Sequence, residues 1–181
     1  MMRRGEWETL SVFIRKESAM LEQQCRLYGF NLFVLEKMAA DIDESEITHQ
    51  PSPDTNPPIW ILGHLAVATD YASKTLGIPT ACPKAWHVDF GPGSTPLKMH
   101  DPAPTKAQLM ETIRAGHQRV TEAARNVTAE QLAAPHPVAL LKGSPIETVG
   151  DLISHLMNTH EAMHIGQLSM WRRLTGRKPL I

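Results

Sequence analysis

Two histidines four residues apart form the pattern in this chain that is best suited to chemistry. His160 and His164 are separated by three residues, and side chains at this spacing share one face of an α-helix. Two imidazoles on one face can bind a single metal ion, but they do not fix its geometry. His64, which follows an apolar stretch, is the candidate third ligand. We therefore expect a three-histidine metal site made of His64, His160 and His164.

The number of predicted ligands indicates what this site would do. Three protein ligands leave at least one coordination position open, which is typical of catalytic rather than structural zinc sites. An ion in an open site can lower the pKa of a bound water or thiol, or polarise an electrophile. Zinc suits neutral imidazoles, but nickel, iron and copper bind them as well. The residues thus predict a divalent metal without identifying it.

Glu161 completes an HExxH motif, in which zinc proteases use the glutamate as a general base. The longer form of this motif has a further histidine six residues after the second, where this chain has Met170. The sequence also shows no convincing β-strand to bind a peptide. We consider a protease the weaker hypothesis. Glu161 remains a candidate catalytic base or support for a ligand, and the alternative is a solvated glutamate beside the site.

Other histidine and glutamate patterns in the chain offer alternatives to this site. Glu161 and His164 also spell the ExxH unit of di-iron bundles, but such bundles need a second unit and two further glutamates that project inward, and no predicted helix carries a second unit. His117 lies in the apolar stripe of a predicted helix. Its candidate roles are a core residue, an acid or base in the pocket, and a fourth metal ligand. His155 should lie about 140° around the helix from His160. We expect it to be an ordinary surface residue, like His49, His87, His100 and His136.

Apolar periodicity predicts four main helices, which must bring these side chains together. The first covers about residues 17–42, and the preceding residues 7–15 form either an extension of it or a separate short arm. The second covers 59–76, carries His64, and should begin at Asn56 as N-cap before Pro57. Its end is predicted at Gly77.

The second half of the chain supplies the other two helices. Thr105 with Gln108 forms a capping box for a helix that continues to about residue 126. A one-turn helix is expected over 128–132. The last helix is capped either by Thr148 with Asp151 or by the pair Ser144 and Glu147, and it ends at Gly176. The proline- and glycine-rich stretch 77–103 is too long for a simple turn and should form a pocket wall or lid.

Composition limits the remaining possibilities. With 181 residues, 42% hydrophobic content and a net charge of −1, residues 1–181 fit a single domain. Eighteen basic and nineteen acidic residues give no electrostatic footprint for nucleic acid or an anionic membrane. No apolar run reaches the roughly 20 residues of a membrane span, and the N-terminus does not read as a signal peptide. Two isolated cysteines fit a reducing cytoplasm.

Three segments taken together resemble a known family. These are Asn56-Pro57-Pro58-Ile59-Trp60-Ile61-Leu62-Gly63-His64-Leu65, then residues 148–155, then His160-Glu161-Ala162-Met163-His164-Ile165-Gly166-Gln167. They are similar to the "NP…W.lgHl" helix and the closing "H…H.GQ" helix of the DinB-like superfamily of metalloenzymes. The combination, with its spacing, is far more specific than either motif alone.

The resemblance implies a fold and a class of activity. The expected fold is all-α, a four-helix bundle of variant up-and-down topology that is often dimeric, with zinc or nickel held at His64, His160 and His164. The superfamily includes thiol-dependent transferases and a thiol-dependent isomerase. We therefore expect a small-molecule enzyme, foremost a transferase that activates a low-molecular-weight thiol. The alternatives are a hydrolase that uses Glu161 or His117 as base, and a non-catalytic stress-related metal-binding bundle.

Polar residues near the expected site complete the prediction. The pocket should lie among the first, second and last helices, with residues 77–103 at its mouth. Tyr28, Asn31 and Gln167 are the candidates for its polar wall.

Overall fold

A computed structural model describes residues 21–180, and within this range the chain is helical without a β-strand. The all-α prediction is confirmed for the described residues. The α-helices are α1 (Glu22–Ala39), α2 (Pro58–Thr75), α3 (Lys84–Asp89), α4 (Lys106–Asn126), α5 (Ala129–Ala133), α6 (Val149–Ser154) and α7 (Glu161–Leu174). The residues predicted as an N-terminal arm, and the first residues of the predicted first helix, lie outside the described range.

Capping interactions set several of the helix starts. The Thr105 hydroxyl accepts a hydrogen bond from the Gln108 backbone N–H, so the predicted capping box begins α4. Thr148 and Asp151 form the same motif at α6, which decides between the two predicted caps. The prediction for α2 was wrong by one residue, because Pro57 is the N-cap and the helix begins at Pro58. Asn56 instead has a role in the site described below.

The last helix contains a π-helical segment. Residues His155–His160 are π-helical and join α6 to α7 without a break, since Ser154, His155, His160 and Glu161 all have right-handed helical backbone angles. A π segment inserts extra backbone into a helical turn and is found mostly near functional sites. The face that each later residue presents therefore shifts relative to a regular α-helix.

Four long helical stretches pack around two groups of buried side chains. Helix α1 contacts α4, the π segment and α7, and α2 also contacts α4 and α7. This arrangement is consistent with the predicted four-helix bundle. One buried group includes Leu35, Ile61, Leu62, Ile113 and Leu168, and the other includes Cys25, Tyr28, Val120 and Met157.

The segment between α2 and α4 packs onto the bundle rather than extending away from it. It contains the short helix α3, and Phe90 at the end of that helix is completely buried. Among the described helices, none is both long and apolar enough to cross a membrane.

Candidate metal centre

The three predicted histidines lie together inside the bundle. His64 projects from α2, His160 ends the π segment, and His164 follows in the first turn of α7. Each offers a ring nitrogen, and the three nitrogens lie within 4.8 Å of one another. The Nε2 atoms of His64 and His160 are 3.1 Å apart. Side chains converging this closely could hold one metal ion, so the central geometric expectation is met.

The orientation of His64 is fixed by backbone from another part of the chain. Its Nδ1 lies 2.6 Å from the carbonyl oxygen of Phe90, which can only accept a hydrogen bond. The proton of a neutral His64 therefore sits on Nδ1, and Nε2 keeps its lone pair for a metal. The indole of Trp60 stacks on the same ring at 4.7 Å, and its N–H donates to the Ser94 hydroxyl.

Gly63 allows Phe90 to approach this closely. A Cβ atom at position 63 would lie 2.4 Å from the Phe90 ring, a distance that real Cβ contacts do not show. A glycine inside a helix lowers its stability by roughly 0.5–1 kcal/mol relative to alanine. Its presence beside His64 is explained by the space that the aromatic ring needs.

His164 is oriented by side chains. Its Nδ1 lies 3.1 Å from the Gln167 side-chain oxygen, and the same oxygen accepts a hydrogen bond from the Asn56 amide at 3.2 Å. The amide nitrogen of Asn56 thereby fixes Gln167 as an acceptor, so Nδ1 of His164 carries the proton and Nε2 is free. Asn56 and Gln167 are thus supports for a ligand, and Gln167 is not simply a wall of the pocket.

His160 has a different environment. Its Nδ1 is buried and has no hydrogen-bond partner among the described residues. The ring of His155 lies 5.7 Å from it, measured between centroids. The expectation that His155 is an ordinary surface residue far around the helix was wrong, because π-helical geometry brings residues five apart nearer to one another than an α-helix does.

The environment keeps all three rings neutral. Burial lowers the pKa of His160 to about 3, with further lowering from His164 and His64. Burial also lowers the pKa of His164 to about 4, helped by His64. The pKa of His64 is lowered by burial, although its bond to Phe90 opposes the shift. Neutral imidazoles with free lone pairs are the form that binds a metal, so the donor set fits a divalent ion.

The two predicted catalytic residues form a separate buried pair. The Nε2 atom of His117 lies 2.6 Å from Oε1 of Glu161, and both side chains are about 95% buried. Neither residue belongs to the group of converging ligand nitrogens in the described structure. The fourth-ligand hypothesis for His117 receives no support from this geometry. The description of Glu161 as a solvated residue was wrong, since it is 3% exposed.

The surroundings of this pair favour the protonated form of Glu161 more than water does. Burial raises the pKa of Glu161, and the hydrogen bond from His117 partly opposes that shift. Oε2 of Glu161 is buried without a partner among the described residues. Tyr28 stacks on the His117 ring at a centroid distance of 3.5 Å, and burial raises the pKa of its phenol. Tyr28 therefore supports the pair from α1.

Asn31 connects α1 to the π segment. Its amide donates to the carbonyl oxygens of Met157 and Asn158, each at 3.3 Å. Carbonyls in a π segment are displaced from their usual α-helical donors. Asn31 supplies a donor to two of them, and so it helps to hold the segment that carries His160.

Some supports of this centre could not be found from residue types. The Phe90 carbonyl belongs to the backbone, and the π segment follows no sequence signal that we recognise. Gly63 did carry a signal, because an isolated glycine in an apolar helix usually has a packing reason.

Comparison with known proteins agrees with this structure. The sequence model of the DinB superfamily matches residues 33–168, well over half of the chain, and the match includes all three histidines. A search of curated proteins finds no sequence that matches this one.

Proposed function

This chain belongs to the DinB superfamily, and we propose that it is a metal-dependent enzyme whose ion is bound by His64, His160 and His164. The observation that carries this proposal is the convergence of three imidazole nitrogens within 4.8 Å. Two of the rings have their other nitrogen occupied by an acceptor. Zinc and nickel are the metals that we expect, with iron as a further possibility.

We further propose that the reaction is transfer of a low-molecular-weight thiol to an electrophile. A divalent ion bound here would supply Lewis acidity, which lowers the pKa of a thiol placed in its open coordination position. The protein's own cysteines do not suit this role. Burial raises the pKa of Cys82 to about 12, and it also raises the pKa of Cys25. The sulfur nucleophile should therefore come from the substrate.

The buried pair supplies the acid–base function in this proposal. Glu161 directly follows His160 in the chain, and its side chain is buried in the bundle, where it meets His117. His117 contacts one carboxylate oxygen, and the other has no hydrogen-bond partner among the described residues. A carboxylate with a raised pKa can accept a proton near neutral pH more readily than an ordinary glutamate. We assign Glu161 the transfer of the thiol proton and His117 its orientation.

Thiol consumption tests this function directly. Zinc- or nickel-loaded protein is incubated with bacillithiol or mycothiol and a panel of small electrophiles, and the remaining thiol is measured. We expect metal-dependent consumption that His64→Ala abolishes. The matched control is His49→Ala, because His49 is an exposed histidine. Absence of metal-dependent consumption with every electrophile would remove the transferase proposal.

Hydrolysis is the second candidate. The observation that favours it is Oε2 of Glu161, which is buried and has no hydrogen-bond partner within residues 21–180. In that case Glu161 would take a proton from water instead of a thiol. Turnover of ester or amide substrates without added thiol, lost in Glu161→Gln, would support this alternative.

A further inference from the structure

Asp70 is a completely buried carboxylate that the proposed chemistry does not use. It lies on α2, six residues after His64, with 0% of its surface exposed. Burying a carboxylate is costly unless hydrogen bonds or charges compensate it. Asp70 is compensated by the backbone N–H groups of Ala81 and Cys82, both at 2.8 Å. The carboxylate of Asp70 therefore binds the backbone at Ala81 and Cys82.

Two side chains complete the surroundings of this carboxylate. Nε2 of His87 lies 3.1 Å from Oδ2 of Asp70, and Nη2 of Arg119 on α4 lies 3.6 Å from Oδ1. Ala81 and Cys82 precede α3, and His87 lies within it. Asp70 thus holds both the approach to α3 and the helix itself against α2.

The same segment also contacts α2 next to the metal centre. The chain leaves α3 at Phe90, whose backbone N–H bonds to the Trp86 carbonyl and whose own carbonyl accepts from His64. The Phe90 ring fills the space above Gly63. Six residues of α-helix correspond to roughly 9 Å, so residues 81–90 are attached to α2 at two separate points along one rigid element.

We propose that Asp70 is a positioning residue for the metal centre: by holding residues 81–90 on α2, it places the Phe90 carbonyl where it fixes the Nδ1–H form of His64. This inference rests on the proposed metal site. It differs from a purely stabilising role because it predicts an effect on the His64 ring itself. Loss of the attachment should let the carbonyl move and leave the proton of His64 free to occupy either nitrogen.

Asp70→Asn is the variant that tests this proposal. Asparagine keeps one acceptor oxygen and replaces the other by an NH2 group, so one of the two backbone N–H groups loses its acceptor. The matched control is Asp41→Asn, which disturbs the bond between Asp41 and Arg172 on the C-terminal part of α7. Neither Asp41 nor Arg172 has a described hydrogen bond to residues 77–103.

Three measurements separate positioning from stability. Long-range proton–nitrogen NMR of the metal-free protein identifies which ring nitrogen of His64 carries the proton. Competition with a chromogenic chelator gives the zinc dissociation constant, and thermal unfolding of the metal-free protein gives stability. Loss of a partner that orients a ligand typically weakens metal binding 10–100-fold. Because Asp70 acts through the segment, we expect about tenfold weaker zinc binding and a mixed His64 tautomer.

The outcomes are distinguishable. If Asp70→Asn lowers the melting temperature but keeps the Nδ1–H form and wild-type zinc affinity, Asp70 only stabilises the loop and the proposal is wrong. A wild-type His64 protonated on Nε2 in the metal-free protein would also overturn it. If wild-type protein binds no zinc, the proposed function fails, while the tautomer measurement still decides the role of Asp70.

A second, milder variant tests the proposal if Asp70→Asn does not fold. His87→Ala removes one contact of Asp70 from a partly exposed side chain and leaves both backbone bonds in place. We expect it to weaken zinc binding in the same direction but less than Asp70→Asn. An unchanged affinity in His87→Ala together with an unfolded Asp70→Asn would count against the proposal.

Discussion

At the scale of single residues, the hydrogen-bond partners of the ring nitrogens distinguish the buried histidines from one another. His64 and His164 each give one nitrogen to a protein acceptor and keep the other free. His117 gives its Nε2 to Glu161. The sequence shows only that these histidines lie on apolar helix faces. Their hydrogen-bond partners distinguish the candidate metal ligands from the pair of His117 and Glu161.

Glu161→Gln tests the acid–base assignment. Glutamine keeps the size of the side chain but cannot take up a proton, and loss of a general base typically lowers turnover about 10²–10⁴-fold. We expect such a loss with unchanged zinc content, measured by thiol consumption and by elemental analysis. Glu130→Gln, an exposed change on α5, is the control. Wild-type turnover in Glu161→Gln would exclude Glu161 as the base.

The pH dependence of metal-free protein tests the neutral state of the rings. The folded-state pKa values of His160 and His164, about 3 and about 4, lie below the ordinary value of roughly 6.5. Between these limits the unfolded chain binds protons that the folded chain does not, so stability falls as pH decreases from about 6.5 to about 4. Above about pH 6.5 these two groups do not change the free energy of unfolding with pH.

Denaturant unfolding across this pH range gives the size of the effect. Near pH 5 the two rings should contribute about two protons taken up on unfolding, or roughly 2–3 kcal/mol per pH unit. His160→Gln should reduce the slope by about one proton. A His160→Gln slope equal to that of the wild type would mean that His160 is not held neutral by its surroundings.

At the scale of elements, close approach between α2 and residues 81–90 determines the geometry of the site. Gly63→Ala tests this contact, because the added Cβ would overlap the Phe90 ring. Overpacking of this kind costs about 1–3 kcal/mol, and we expect weaker zinc binding as well. Gly29→Ala is the matched control, since a Cβ there meets nothing within 4 Å and should stabilise α1 by roughly 0.5–1 kcal/mol. Equal effects of the two changes on stability would contradict this account.

Sequence patterns predicted the helices of this fold but not every side-chain position on them. Periodicity and capping residues located the helices and the three histidines, because local spacing determines which residues share a helical face. The displaced position of His155 and the inward position of Glu161 could not be predicted this way. Both depend on the π segment, which is held by Asn31 from a helix 126 residues away in sequence. Contacts over such distances leave no local periodic signal.

At the scale of the whole molecule, an ion that joins α2 to the last helix should stabilise the fold. A ligand that binds only the folded state at 100 times its dissociation constant adds about 2.7 kcal/mol. For a chain of this size each kcal/mol corresponds to roughly 2–4 °C, so zinc should raise the melting temperature by about 5–10 °C. His64→Ala should show little of this rise. An equal rise in His64→Ala would indicate that zinc binds elsewhere.

Three imidazoles from two parts of the bundle are expected to bind one ion. X-ray absorption spectroscopy of zinc-loaded protein, combined with elemental analysis, tests this most directly. We predict one zinc per chain with three imidazole nitrogens at about 2.0–2.1 Å, and loss of stoichiometric zinc in His64→Ala. Zinc bound without imidazole scattering, or bound equally well after His64 is removed, would contradict the account.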